Sequence, residues 1–288
     1  MLILKPSELF SKQRIDFKKF ENLDPTFVSR YLLQAGILDT YQQRQKIKKL
    51  KVLDVGGAGS IIQKFIDIDL TIIDKLLNKK SLVNYVEGDA LNMPFDDNSF
   101  DVVISCDVLE HIPNPDRVRF VEESARVTKD LIVLAAPFNI EGVRPAEIAA
   151  NNFYKQLIGT DHLWLNEHLQ DELPNLQQTQ LIINHSGLNA GHFSHTALQN
   201  WQLITRAGFL LTQAKKHPEF TKRIEELNQY YLNNVMAKDF SKNGYRTFIV
   251  ASKINKVKID IDEEQYSSQL DNIFTLLTNA ILTLLWEK

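Results

Sequence analysis

The stretch Val52-Leu53-Asp54-Val55-Gly56-Gly57-Ala58-Gly59-Ser60 runs an apolar segment into a turn of small residues. Lys51–Val55 reads as a buried strand. The turn lets a ligand approach the backbone closely. A helix starting over the apolar residues Ile61–Ile66 would add oriented N–H groups. Working outward, Leu70–Asp74, Val83–Val86, Asp101–Ser105 and Asp130–Ala135 repeat the same kind of short apolar run. Such runs, alternating with connections, predict a parallel sheet covered on both faces. Ligands bind such sheets at the carboxyl ends of the strands. Those ends carry Asp54 with the small-residue turn, Asp74, the run Glu87-Gly88-Asp89-Ala90, and the run Ser105-Cys106-Asp107-Val108-Leu109-Glu110-His111. Asp74 stands where an acidic side chain can accept both hydroxyls of a ribose.

The small-residue turn does not fit a dinucleotide site. The G-x-G-x-x-G fingerprint starting at Gly57 puts Ile62 in the third glycine position, and starting at Gly56 it puts Ala58 and Ile61 in the second and third. An NAD-type oxidoreductase is therefore disfavoured, and a nucleoside without a pyrophosphate fits better.

The ordered runs VLDVGGAG, TIIDK, EGDALNMPFDDNSFDVVISCDVLEHI and DLIVLAAPF resemble the motifs of class I S-adenosylmethionine-dependent methyltransferases, near the methyltransferase type 11 group. The resemblance covers about Val52–Phe138, and the later GYRTFIVASK is similar to the last strand of that fold. It implies an α/β, doubly wound, Rossmann-like sheet of seven strands with the last one antiparallel. It implies S-adenosyl-L-methionine as cofactor, with Asp54 and the Gly56, Gly57, Ala58, Gly59 turn at its methionine end. Asp74, with Lys75 alongside, would take the ribose; Asp89 and the Ala90 N–H would take the adenine. Cys106, Asp107 and Val108 would line the carboxypropyl and sulfonium region. The family turn has glycine where this chain has Ala58 and Ser60. Methyl transfer from a sulfonium is an in-line displacement that needs alignment and exclusion of water rather than a metal. For a hydroxyl acceptor a general base helps, and His111 is placed for it; a structural histidine at a helix start is the other reading.

Phe209–Ala214 and Tyr245–Ser252 read as two further strands, the first preceded by a helix at Leu198–Ala207 that Gly208 stops. The organisation is thus a helical segment at 1–44, a methyltransferase domain at 45–253, and a linker with a C-terminal amphipathic helix at 254–288. An insertion at 139–196 interrupts the domain, and a shorter one covers about 216–243. In the N-terminal segment, Asp24, Pro25 and Gly36 mark the cap, first turn and stop of one helix. At the other end Leu270, Phe274, Leu277, Ile281 and Leu284 form an apolar seam, suited to packing on the N-terminal helices or to a homodimer contact.

The 139–196 insertion reads as a lid over the acceptor, with His162 and Trp164 as contacts. Five of the seven histidines fall between 162 and 195, but none makes an H-x-x-x-H or H-E-x-x-H pair, so no metal site is expected. Aromatic and hydrogen-bonding groups together suit a small-molecule or glycan acceptor, and DHLWLNEHLQDELP resembles insertions in methyltransferases that accompany glycan-building enzymes. A non-catalytic cofactor-binding module is the alternative to an enzyme.

Composition bounds the rest. The 288 residues are 44% hydrophobic and 24% charged, with a net charge of −3, which argues against a nucleic-acid partner. A single cysteine excludes an intrachain disulfide framework and points to a reduced, cytoplasmic setting. No run is long enough for a membrane span, and the start lacks the features of a secretory signal.

Overall fold

The computed structural model describes residues 1–10, 15–20, 23–75, 84–214 and 218–261. The apolar seam at 265–286, and the homodimer contact attached to it, lie outside the described residues. In chain order the strands are β1 (Leu2–Leu4), β2 (Lys51–Val55), β3 (Asp69–Asp74), β4 (Asn84–Glu87), β5 (Phe100–Cys106), β6 (Thr128–Pro137), β7 (Asn189–Ala197), β8 (Gly244–Ser252) and β9 (Val257–Ile259). The helices are α1 (Pro25–Gln45), α2 (Arg117–Val127), α3 (Val143–Ile158), α4 (Leu163–Gln170), α5 (Leu176–His185), α6 (Leu198–Ala214) and α7 (Pro218–Tyr230).

Seven strands make one sheet in the order β4-β3-β2-β5-β6-β8-β7. The pairs among β4, β3, β2, β5 and β6 are parallel, and β8 lies antiparallel between β6 and β7. This is the expected α/β, seven-stranded, Rossmann-like architecture with an antiparallel last strand. Alternation along each strand sends successive side chains to opposite faces. Val52, Ile72, Val102, Ile104, Leu131 and Val133 join a core with α1. Their neighbours Leu53, Ile73, Val103, Ile132 and Leu134 join a second core with Phe120 and Val121 of α2 and Ile183 of α5.

The α1 helix begins where expected. Asp24 Oδ1 accepts the N–H groups of Thr26 (2.7 Å) and Phe27 (3.0 Å), and Pro25 occupies the first turn. It does not stop at Gly36. A Cβ there would lie 2.5 Å from the Leu9 carbonyl oxygen, so the glycine serves close packing of the N-terminal segment across the helix. The helix runs on to Gln45 and ends at Lys46 in a left-handed conformation. Leu32 and Val28 face a third core with α6 and α7, while Tyr31, Leu33 and Ile37 face the sheet.

Four further expectations are corrected. No α-helix follows the glycine turn: a single 3₁₀ turn, Ile62–Lys64, leads to β3. Too few residues remain before Asp69 for a helix spanning the strand length, and α1 covers that face instead. Phe209–Ala214 is the C-terminal part of α6 rather than a strand, because a short apolar run is equally a buried helix face. The sixth strand is β7, inside the segment read as an insertion. Its polar sequence NAGHFSHTA hid it, and Gly191 leaves room for Ile259 and Val257 of β9. Finally, part of the expected linker is β9, paired in parallel with β1, so the N-terminal segment begins with a strand.

Candidate active site

The carboxyl end of β2 turns at Gly56, whose φ is +76°; a Cβ there would lie 2.2 Å from Val108 Cγ2. A Cβ on Gly57 would sit 2.5 Å from the Asp54 carboxyl carbon. The Asp54 carboxylate thus lies beneath the turn. It is buried, its Oδ2 has no hydrogen-bond partner among the described residues, and burial pushes its pKa up to about 7. Beside Gly59 the space is open apart from the Phe27 ring at 3.9 Å. Ala58 keeps an ordinary negative φ, and its N–H donates to Asp74 Oδ2 at 3.1 Å. The acid at the end of β3 therefore faces the turn. Lys75 reaches Asp89 at 3.8 Å, and the Asp89 carboxylate also accepts the Leu91 N–H. Ala90 packs against the second core.

The end of β5 is organised by charge. Asp107 adopts φ 55° and accepts both Arg246 Nε (2.7 Å) and Nη2 (2.6 Å). Arg30 of α1 bonds the same carboxylate. Burial raises the Asp107 pKa, but the two guanidiniums outweigh it and hold the group well below the usual carboxylate range. Asp107 therefore stays ionised as the partner of two cations. Arg30 keeps its Nε buried without a partner among the described residues. The neighbouring Cys106 thiol is pushed up by burial and then by Asp107.

These groups open into a cavity of about 470 Å³ that runs from Gly56, Cys106 and Asp107 to His111, His162 and Trp164. The floor is the 3₁₀ turn Leu109–His111, on which α4 packs. Glu110 is buried, and burial followed by the Asp107 charge raises its pKa well above the ordinary value. His111 Nδ1 lies 3.0 Å from Glu167 Oε2, and burial with the adjacent His168 lowers its pKa. From α4, His168 Nδ1 lies 2.9 Å from Glu147 Oε1 of α3, which also accepts the Tyr245 hydroxyl at 2.9 Å. His162 caps α4: its Nδ1 accepts the Leu165 N–H at 3.4 Å, and its ring sits between Tyr154 and Phe209. The far wall is Trp201 stacked on Tyr245, centroids 3.8 Å apart.

Of the expected residues, Asp54, Gly56, Gly57, Ala58 and Asp74 meet around one turn, while Cys106, Asp107, His111 and His162 share the cavity. His185, His192 and His195 go elsewhere, bonding Leu181, Gln180 and Met236. Sequence reasoning missed Arg30, Glu147 and Arg246, which come from α1, α3 and β8 and carry no local motif. Glu110 and His168 were visible as residues but not as neighbours.

Residues 63–133 match the family described as Methyltransferase domain, a segment holding Asp74, Asp89 and Cys106–His111. No curated protein matches the chain. Among solved structures, a SAM-dependent methyltransferase from Thermotoga maritima is 12% identical at TM-score 0.49, over 82% of this chain and 98% of that one. Haemonchus contortus phosphoethanolamine N-methyltransferase 2 is 19% identical at TM-score 0.47, over 76% of this chain and 52% of that one. Magnesium protoporphyrin IX methyltransferase from Synechocystis is 10% identical at TM-score 0.45, over 85% and 91%. Strand order and the domain match together define a class I methyltransferase fold. The matched segment identifies a methyltransferase domain within this chain.

Proposed function

We propose that the chain transfers a methyl group from S-adenosylmethionine to a hydroxyl of a small polyhydroxylated molecule or glycan, within a domain spanning residues 45–253 and in the cytoplasm. The observation that carries the reading is one continuous cavity linking the glycine turn at Gly56 to the aromatic and polar chamber lined by α4 and α6. The residues present fit the cofactor. The orphaned Asp54 oxygen, the Gly56 conformation and the open space beside Gly59 suit an amino-acid end group at the turn. When bound, the cofactor supplies a methyl group on a sulfonium, already activated for in-line displacement.

The chain's own residues do the rest. Asp74 and Lys75 hold the ribose, and Asp89 with the Ala90 N–H holds the adenine. Cys106 and Val108 shape the wall near the sulfonium. Asp107 serves differently from the sequence expectation: its oxygens are taken by Arg30 and Arg246, so it positions cations rather than touching the cofactor. Arg30 then offers its charge to the carboxylate at the methionine end. That role follows from the missing helix after β2, which would otherwise have supplied N–H donors there. In the chamber, Trp201, Tyr245 and Trp164 present aromatic faces to a sugar-like ring, while His111 and His162 contact its hydroxyls. Cover by α4 and α6, which line the chamber, excludes water.

Titration calorimetry with S-adenosylhomocysteine tests the cofactor site. Asp74→Ala is expected to weaken binding by about 1–3 kcal/mol, the worth of a charged hydrogen bond. Unchanged affinity refutes the Asp74 role, and no binding near millimolar ligand refutes the function. Labelled-methyl transfer to pools of sugars and polyols, against pools of amines, tests the acceptor class; label in the amines alone overturns it.

A further inference from the structure

The chamber holds a group that methyl transfer from a sulfonium does not require. Glu110, His111 and His168 present one donor atom each, all within 4.8 Å of one another. Each histidine has its Nδ1 on a carboxylate, Glu167 at 3.0 Å and Glu147 at 2.9 Å. That contact fixes both rings and leaves Nε2 for a ligand, the arrangement by which proteins orient metal-binding histidines. Glu147 is itself held by the Tyr245 hydroxyl, so the support extends one shell further.

Two of the inward donors are stranded. Glu110 is 4% and His168 5% exposed, yet Glu110 Oε2 and His168 Nε2 have no hydrogen-bond partner among the described residues. Burying a polar atom unpaired is costly, and two such atoms on residues of one donor cluster mark a site built for something else. A hydrogen-bonded cluster of structural side chains would have paired them with each other.

We propose that Glu110, His111 and His168 bind one divalent first-row transition ion. Two imidazoles and a carboxylate suit Zn²⁺, Mn²⁺, Fe²⁺ or Co²⁺ better than Mg²⁺ or Ca²⁺, which favour all-oxygen sets. Ligand bonds of about 2.0–2.2 Å put donor atoms about 3–4.4 Å apart, so the three side chains draw inward on loading. Three protein ligands leave positions open toward the cavity, the pattern of a working rather than a structural site. There the ion polarises an oxygen group of the acceptor and lowers its pKa. The inference rests on the acceptor reading above and deepens it: the ion takes over the task otherwise given to a histidine base. The site was invisible to spacing rules because His168 comes from another helix, far along the chain from Glu110-His111.

The full chain, stripped with chelator, is titrated with Co²⁺ and with Zn²⁺ by calorimetry, and Co²⁺ loading is followed by its visible absorption. One site per chain is expected. His168→Gln, His111→Gln and Glu110→Gln each lower affinity at least tenfold, and Glu147→Gln lowers it about 10–100-fold by releasing the His168 ring. His111→Gln, at the exposed member of the three, guards against a misfolded core variant. S-adenosylhomocysteine affinity should stay within about twofold in all four. Absence of Co²⁺ binding at about 100 μM, or unchanged binding in the folded variants, overturns the site. Cofactor binding with no metal binding overturns this inference alone, whereas metal binding without cofactor binding supports the site and overturns the methyltransferase reading.

Discussion

Asp107→Asn isolates the charge arrangement at the end of β5. The carboxylate receives two bonds from Arg246, which is 5% exposed, and one from Arg30. Asparagine keeps the shape but removes the charge, leaving two nearby guanidiniums with no anion between them. Removing one partner of a buried pair costs about 3–5 kcal/mol because the stranded charge stays desolvated. For a chain of this size, about 2–4 °C per kcal/mol gives a melting temperature about 6–20 °C lower. Urea melts of wild type and variant at pH 7 measure the difference. The pH dependence has a definite sign. Because the native pKa is held below the unfolded value of about 3.9, the contribution is complete above that value and is lost as pH falls through the native one. The gap between wild type and Asp107→Asn should therefore be full at pH 7 and shrink below about pH 4. A cost under about 1 kcal/mol at pH 7, or a gap that widens in acid, refutes the reasoning.

Gly56→Ala places a methyl 2.2 Å from Val108 Cγ2 at a φ of +76°. We expect loss of S-adenosylhomocysteine binding by calorimetry and a destabilisation of about 1–3 kcal/mol. Asp54→Asn tests the opposite titration. Burial raises the native Asp54 pKa to about 7, so its favourable contribution is present below about pH 3.9 and lost as pH rises through 7. Without cofactor the asparagine variant should gain stability over wild type between pH 6 and pH 8 in thermal melts; a gap that stays flat across that range contradicts the assignment.

The parts legible in the sequence are those whose signal is local. A buried parallel strand must be apolar along its whole length, so β2, β3, β5 and β6 stand out as Val, Ile and Leu runs. The turn after β2 must be small, and the acids at the ends of β3 and β4 follow at fixed positions. The Asp24-Pro25 cap likewise announced α1, because capping depends on neighbours in the chain. Tertiary structure decided whatever depends on residues far apart. Phe209–Ala214 became helix because α6 packs Phe209 on Tyr154 of α3 and Leu210 into the core with α1 and α7, and its own pattern was indifferent. β7 became a strand despite its polar sequence because β8 supplies a hydrogen-bonding edge. Gly36 became helix interior because Leu9 crosses there. The chamber was hidden for the same reason: Glu110 and His111 ride on a turn after β5, Glu147 and His168 on two later helices, and Arg246 on the last strand of the sheet. Only packing brings their donor atoms together, since chain spacing carries no record of which surfaces will meet.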